Sequence, residues 1–269
     1  MVDRLTERAT LGGTLASLTT YRELIKNLVF RDLKLKYRGS MLGFLWSLVN
    51  PLVMVGVYAF AFTHILNTKV EAFVFFLLLG LLAWNFFANS ASMSTGAIVD
   101  GGSLIKSVVF PRAIMPIATV LFNLAQYLLT LLVFLPLMLL VYRVPASGPM
   151  LLFPVFLALQ VIFTLGVALM LSAGTAFFRD IRHFLEIALA ILFWMTPIVY
   201  PLAQINGKLR FVILLCPLSP FIVSYQEIFY YHRWPEPTLW IVGIVYAFGT
   251  FAAGARIFLS VEHRLAEAV

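Results

Sequence analysis

The chain has 269 residues, of which 62% are hydrophobic and only 12% are charged. A water-soluble domain needs about a quarter of its residues charged to cover its surface, so this composition excludes a soluble protein and predicts an integral membrane protein. The net charge of +7 does not indicate a nucleic-acid partner, because the cations stand beside apolar segments, where anionic lipid headgroups account for them. The single cysteine, Cys216, excludes an intrachain disulfide and a cysteine-based metal site.

Residues 20–37 are predicted to form an amphipathic helix. Tyr21, Leu24, Ile25 and Leu28 recur at i, i+3, i+4 and i+7, which places them in one apolar stripe on a helix. Such a stripe beside a charged face is typical of a helix that lies in the cytoplasmic membrane interface. An ordinary solvated helix is the alternative.

Six apolar segments follow, and most are long enough to cross the roughly 30 Å hydrocarbon core of a bilayer as helices. On this division, fourteen of the nineteen lysines and arginines fall on the side that holds both termini. The positive-inside rule therefore predicts that both termini are cytoplasmic. The predicted fold class is an all-α integral membrane protein with six transmembrane helices, at 41–66, 72–98, 113–142, 150–178, 184–200 and 238–260.

The segment 201–237 lies between the fifth and sixth predicted spans and is too long for a turn. Its apolar core, residues 211–223, is interrupted by Pro217 and Pro220. About 13 apolar residues are too few to cross a bilayer. The segment is therefore predicted to form a re-entrant hairpin, or one that rests on the external membrane surface.

The sequence offers no catalytic or metal-binding group. No acidic residue lies deep in a predicted span, which argues against a proton relay or an ion-coupling carboxylate. The four histidines lack metal-ligand spacing. Residues 101–107 lack the glycine that precedes the lysine of a phosphate loop, and no strand comes before them. A transporter of this kind takes its energy from another subunit, or else it is a channel.

Four stretches, in this order and spacing, carry a family resemblance. They are RDLKLKYRGSMLGFLWSLVNPL at 31–52, SLIKSVVFPRAIMP at 103–116, FFRDIRH at 177–183 and WMTPIVYP at 194–201. The sequence resembles the membrane subunit of type-2 ABC exporters of polysaccharides, which move lipid-linked O-antigen, capsule or teichoic acid. The resemblance implies a homodimer in the bacterial inner membrane, with two separate ATPase subunits that bind the ATP and Mg²⁺.

The resemblance also implies where the ATPase docks. The loop 99–112 corresponds to the family's coupling element, and Arg179 and Asp180 match its second cytoplasmic connection, where Asp180 is expected to pair with a neighbouring arginine. Simple anchoring of Lys106 and Arg112 to lipid headgroups is the alternative. The predicted ATPase-coupling residues are Asp100, Lys106, Phe110, Pro111, Arg112, Arg179 and Asp180.

Four cations lie in and just after the C-terminal half of the predicted interface helix: Arg31, Lys34, Lys36 and Arg38. They are predicted to collect the phosphate headgroup of a lipid-linked substrate, since arginine pairs with phosphate oxygens in a bidentate geometry. Ordinary positive-inside anchoring explains them equally well.

Aromatic side chains that face a pore would stack on sugar rings and let a polymer slide. The candidates are Tyr58, Phe62, Phe193, Trp194 and Tyr200, near the outer ends of the first and fifth predicted spans. Packing against lipid or other helices is the alternative for each of them.

The sequence thus predicts a transport subunit without its own enzymatic activity, which binds an ABC ATPase, a second copy of itself, membrane lipids and a lipid-linked polysaccharide. Two alternatives remain at this stage. One is an ABC exporter of small hydrophobic molecules on the same fold, and the other is a membrane scaffold that transports nothing.

Overall fold

The computed structural model describes residues 20–41, 43–65, 70–102, 110–205 and 207–266. Regular structure in these ranges is helical throughout, which confirms the predicted all-α fold class. The α-helices, numbered in chain order, are α1 (Arg22–Tyr37), α2 (Trp46–Phe60), α3 (Phe73–Gly96), α4 (Ile114–Val141), α5 (Phe153–Phe177), α6 (Ile181–Met195), α7 (Lys208–Leu214), α8 (Ser219–Phe229) and α9 (Pro237–Val261).

Five of the described helices are long and apolar enough to cross a membrane. Two of them are extended by short helical turns, a π-helical turn after α2 and a 3-10 turn before α5. Each overlaps one of the predicted apolar segments. The five candidate spans are Trp46–Ile65, Phe73–Gly96, Ile114–Val141, Gly148–Phe177 and Pro237–Val261.

The predicted span 184–200 differs from the observed helix. Helix α6 begins at Ile181 and ends at Met195, so it is about 22 Å long and shorter than the hydrocarbon core. It ends there because Pro197 disfavours a helical conformation for Thr196. The following residues lack helical structure but are mostly buried, and Gln226 Nε2 donates a hydrogen bond to the Pro197 carbonyl oxygen at 2.8 Å. Irregular backbone is tolerated at membrane depth when protein surrounds it in this way.

Helices α7 and α8 form the predicted hairpin and meet at an angle of 99°. Helix α7 is largely exposed, whereas every residue of α8 is buried, and α8 packs against α3, α5 and α9. The Phe221 ring lies 5.5 Å from the ring of Phe163, which is near the midpoint of α5. The second half of the hairpin therefore enters the helix bundle, as expected of a re-entrant hairpin.

Hydrogen bonds fix α8 in this buried position. The Tyr225 hydroxyl donates to Gln160 Oε1 at 2.7 Å, and Gln160 Nε2 donates to the Ala83 carbonyl oxygen at 3.0 Å. Both side chains are buried, with Gln160 wholly inaccessible. The network joins α8, α5 and α3, and it satisfies polar groups that would be costly to bury unpaired.

Helices α5 and α9 approach each other most closely at Gly166 and Gly254. A Cβ atom on Gly254 would lie 2.2 Å from the carbonyl oxygen of Gly166, and one on Gly166 would lie 2.5 Å from backbone atoms of Thr250. Small residues permit such backbone contact between membrane helices, where dispersion forces replace the hydrophobic effect. We refer to this contact as the glycine seam.

A second apolar core lies at the end of the bundle where α1 docks, and we call it the α1-end cluster. Helix α1 contributes two buried side chains of its predicted stripe, Ile25 and Leu28. The stripe therefore packs against protein rather than resting only on lipid. Phe30, on another face of α1, is 68% exposed. The buried members of the cluster are Ile25, Leu28, Ile98, Ala113, Ile114, Met115, Ala118, Leu169, Ala173, Ala255, Phe258 and Leu265.

Candidate functional site

The ends of the predicted coupling loop are held at the α1-end cluster. Phe110 is partly buried against that cluster, and the half-buried Pro111 follows it. Asp100 lies at the other end of the loop, directly after α3, and is exposed. Lys106 lies outside the described residues. Phe110 and α1 therefore share one apolar core.

Arg112 is bound within the chain. Its backbone N–H donates to Glu262 Oε1 at 2.9 Å, and its guanidinium Nη1 donates to the Glu262 carbonyl oxygen. These contacts tie the end of the coupling loop to the C-terminal end of α9. Sequence reasoning missed Glu262, and no local pattern signals a partner 150 residues away.

The connection between α5 and α6 approaches the coupling loop through a different arginine. Arg179 and Asp180 are both exposed, and Asp180 makes no ion pair within the described part of the chain. Instead, Arg182 Nη2 lies 3.9 Å from Asp100 Oδ2. Asp180 therefore does not form the expected pair with a neighbouring arginine, because Arg182 points toward the other loop.

Three of the four predicted headgroup cations share one face of α1. Arg31, Lys34 and Arg38 are spaced three and four residues apart and are exposed. Arg31 also forms an ion pair with Asp32 at 2.9 Å. Lys36 lies on another face and turns into the bundle. The structure therefore groups three of the cations and separates the fourth.

Lys36 reaches helix α4, where its Nζ donates a hydrogen bond to Gln126 Oε1. The ammonium group also lies 5.8 Å from the centre of the Phe122 ring. Burial lowers the pKa of Lys36 from its ordinary value, because partial removal of water disfavours the charged form.

Three predicted channel aromatics and a fourth ring, Trp84, meet where α2, α3 and α6 come together. The Phe193 ring lies 5.7 Å from Tyr58, 5.5 Å from Trp194 and 5.5 Å from Trp84. Trp84 is buried, whereas Trp194 is 58% exposed. Tyr58, Phe193 and Trp194 thus form one aromatic group with an exposed edge.

The other two aromatic candidates lie apart from this group. Phe62 packs against Phe73, with ring centres 5.6 Å apart. The Tyr200 hydroxyl donates to the carbonyl oxygens of Trp194 and Met195, at 3.0 and 3.2 Å. Tyr200 therefore satisfies carbonyl groups at the C-terminal end of α6, where no further helical turn supplies donors.

A polar cavity of about 340 Å³ lies between α1, α2, α3 and α4, and the sequence analysis did not predict it. No acidic residue is among the described residues that line it, and Lys36 is the charged residue at its wall. Five carboxamide side chains line it: Asn50, Asn85, Asn89, Asn123 and Gln126.

Gln126, like Asn123, is a buried member of this set. It is only 9% exposed, and its Nε2 atom has no hydrogen-bond partner among the described residues, although its Oε1 accepts from Lys36. Pro51, inside α2, lines the same cavity and has no N–H group. The carbonyl group of Ser47, four residues earlier, therefore lacks its usual intrahelical donor.

Helical spacing could have revealed this cavity from the sequence. Asn85 and Asn89 are separated by four residues, and Asn123, Gln126 and Thr130 follow the pattern i, i+3, i+7. These spacings place the polar groups on single faces of α3 and α4. The sequence analysis singled out charged groups and therefore missed the uncharged amides within apolar helices. Such amides are also rare and costly inside a membrane.

The arrangement is suited to binding. The described lining holds no pair of nucleophile and base, and it offers many donors and acceptors of neutral hydrogen bonds. The aromatic group and the exposed cations of α1 likewise contain no such pair.

Comparison with known proteins gives consistent results. Residues 23–230 match the family described as ABC-2 type transporter. The chain is 36% identical over 259 residues to an O-antigen export system permease protein of Myxococcus xanthus, which covers 94% of this chain and 97% of that protein. A protein of the same description from Klebsiella pneumoniae is 31% identical, covering 91% and 94%. A polysialic acid transport protein of Escherichia coli is 25% identical, covering 76% and 80%.

Proposed function

The chain belongs to the ABC-2 type transporter family and is the membrane subunit of a polysaccharide ABC exporter, and we propose that it moves a lipid-linked polysaccharide such as O-antigen out of the cytoplasm. The observation that carries this proposal is the similarity to O-antigen export permeases along nearly the whole chain. The polar cavity supports it, because an exporter of small hydrophobic molecules would place an apolar substrate against the buried amides of Asn123 and Gln126 and the half-buried amide of Asn85.

The energy for transport is supplied by a separate ABC ATPase, which binds ATP and Mg²⁺. We assign its docking surface to the coupling loop 99–112 and to the connection that holds Arg179 and Asp180. The 3.9 Å approach of Arg182 to Asp100 supports this assignment, since it brings the two loops together. The contact of Phe110 with the α1-end cluster then passes motion from the ATPase to α1.

The working unit is a homodimer in the inner membrane, with both termini cytoplasmic. In this orientation α6 and the buried residues that follow it form the fifth of six crossings, and the α7–α8 hairpin enters the bundle from outside. The exposed apolar side chains of α2 and α6 leave room for a second copy as well as for lipid. The three exposed cations of α1 then face the cytoplasmic leaflet, where a lipid phosphate is encountered.

Purification of the tagged protein in mild detergent tests the proposal. A stoichiometric ATPase subunit is expected to accompany the wild-type protein. Joint replacement of Lys106, Phe110 and Arg112 by alanine is expected to remove it, because these residues form the docking surface. Absence of any ATPase from an intact homodimer would contradict the exporter and favour the scaffold.

Two control variants separate docking from folding. Lys208→Ala removes an exposed cation from α7, at the opposite end of the bundle, and should retain the ATPase. Glu262→Ala removes the carboxylate that accepts from the Arg112 backbone N–H, keeps the carbonyl oxygen that accepts from the guanidinium, and leaves the loop sequence unaltered. If Glu262→Ala alone released the ATPase, the triple variant would report loss of that internal tie rather than loss of a docking surface.

A further inference from the structure

The composition of the polar cavity limits what can occupy it. Its described lining contains five carboxamides and no carboxylate, so it lacks the charged oxygen ligands that hold Ca²⁺ or Mg²⁺. An apolar occupant would leave the buried Nε2 atom of Gln126 without a hydrogen bond. A volume of about 340 Å³ lies within the usual range for small-molecule sites, roughly 300–1,000 Å³.

Carboxamides match a ligand rich in hydroxyl groups. Each amide offers two N–H donors and a carbonyl acceptor, and each hydroxyl both donates and accepts. The rings of Trp46, Phe86 and Tyr127 also line the cavity and supply apolar surface beside the amides. A sugar ring has this combination, since its edge carries hydroxyl groups and its faces carry C–H groups.

Gln126 gives the strongest indication of a missing ligand. More than nine-tenths of this residue is buried, yet its Nε2 atom has no partner in the described part of the chain. Buried amide donors are nearly always satisfied, so an orphaned donor at a cavity wall calls for a ligand acceptor. A sugar hydroxyl or ring oxygen would supply it.

The cavity also has a charged side. Lys36 lines it from the C-terminal end of α1, and Arg38 follows two residues later on the exposed surface. An anionic group bound between these two cations would lie on the α1 side of the cavity. The geometry therefore fits a sugar whose phosphate points toward the end of α1.

We propose that this cavity binds the sugar residue nearest the lipid phosphate of the exported polymer, with Gln126 binding a sugar oxygen and Lys36 attracting the phosphate. This inference rests on the proposed function, because it assumes a lipid-linked saccharide as substrate. It adds a saccharide site within one subunit, separate from the aromatic group of α2, α3 and α6.

Two probes test the proposal on the permease–ATPase complex: a polyprenyl diphosphate without sugar, and the same lipid carrying one N-acetylglucosamine. Native mass spectrometry measures the affinity of the complex for each. The glycosylated probe should bind about tenfold more tightly to the wild type, because only it fills the cavity. Equal affinities for the two probes would overturn the inference.

Substitutions in the cavity wall test whether the sugar binds there. Gln126→Leu should abolish the preference for the glycosylated probe, so that the two probes bind with the same affinity. Asn89→Leu, at an exposed position of the same wall, should reduce the preference and serves if Gln126→Leu does not fold. Lys36→Gln should weaken the binding of both probes by a similar factor. Asn27→Leu, on the exposed surface of α1, is the matched control and should change nothing.

The outcomes separate this inference from the proposed function. If the bare lipid binds and stimulates the ATPase but the sugar adds no affinity, the cavity is not a saccharide site and the exporter stands. A preference that survives both Gln126→Leu and Asn89→Leu would also overturn the inference, because the sugar would then bind elsewhere. If neither probe binds to a complex that retains its ATPase, the lipid-linked substrate itself is refuted.

Discussion

The glycine seam and helix α2 represent opposite ways of holding a membrane helix. Helices α5 and α9 touch through their backbones at Gly166 and Gly254. Helix α2 is held by side chains, and only 11% of its most apolar stretch is buried, compared with 78% for α3. Both α9 and α2 lie at the outside of the bundle, so position alone does not explain the difference.

The difference indicates which parts of the subunit can move. A backbone contact has no space to yield, so α5 and α9 form a fixed frame that also holds the re-entrant helix α8. Helix α2 borders the polar cavity and a loosely packed aromatic group, and regions with few buried contacts open at the lowest free-energy cost. We expect substrate-dependent motion at α2 and α1, against a stationary α5–α9 pair.

Gly254→Val should disrupt the contact between α5 and α9 and produce the largest loss of stability. Its Cβ would lie 2.2 Å from the Gly166 carbonyl oxygen, so the helices must separate. Overpacking costs about 1–3 kcal/mol where side chains can adjust, and we expect at least about 3 kcal/mol where only backbone can. Thermal unfolding of the purified protein measures the loss.

Gly249→Val is the matched control for that experiment. Gly249 is on the same helix, and a Cβ added there meets no atom within 4 Å. The substitution should change the free energy of unfolding by no more than about 0.5 kcal/mol. A similar loss from both variants would mean that the seam has no special role in stability.

Tyr225→Phe should loosen the attachment of α8 to the frame, with an intermediate effect. It removes the donor to Gln160 Oε1, a wholly buried atom, at a cost of about 1–3 kcal/mol. Cys216, the single cysteine of the chain, is buried in the turn between α7 and α8. Its rate of reaction with a maleimide should therefore rise in the variant.

The control for Tyr225→Phe is Tyr142→Phe, which removes a hydroxyl group from an exposed tyrosine at the end of α4. It should leave the labelling rate of Cys216 unchanged. If Tyr225→Phe also left it unchanged, the hairpin would be held by apolar packing rather than by the Tyr225–Gln160 network.

Asp100→Asn should have the smallest effect on stability. It tests whether the region outside the α5–α9 pair is loosely held. The ion pair of Asp100 with Arg182 is long, at 3.9 Å, and both side chains are about half exposed or more. Such pairs contribute about 0–1 kcal/mol, so the melting temperature should hardly change. A large loss of stability would show that the two loops are rigidly joined.

The fold followed from hydropathy because a bilayer requires long apolar helices, and this requirement is visible in local sequence. The end of α6 could not be predicted from hydropathy, because the sequence remains mostly apolar up to Tyr200 while Pro197 stops the helix. A boundary set by backbone geometry is not seen in a count of apolar residues.

The candidate site was only partly predictable. The cations of α1 and the aromatics were found by residue type, but type alone did not show that Lys36 turns away from Arg31, Lys34 and Arg38. The amides of α3 and α4 carry a helical spacing that a search for polar faces would find. The Arg112–Glu262 contact joins distant parts of the chain, so no local sequence pattern predicts it.

The docking of α1 has a consequence for biosynthesis. Ile25 and Leu28 are translated before nearly all of their partners, and Leu265 of the same cluster follows α9 in the chain. The ribosome must therefore finish the final helix before the stripe of α1 can be fully covered. A truncated or misinserted product would keep that stripe exposed, and exposed apolar surface marks a chain for degradation or aggregation. Burial of the α1 stripe therefore depends on the arrival of α9.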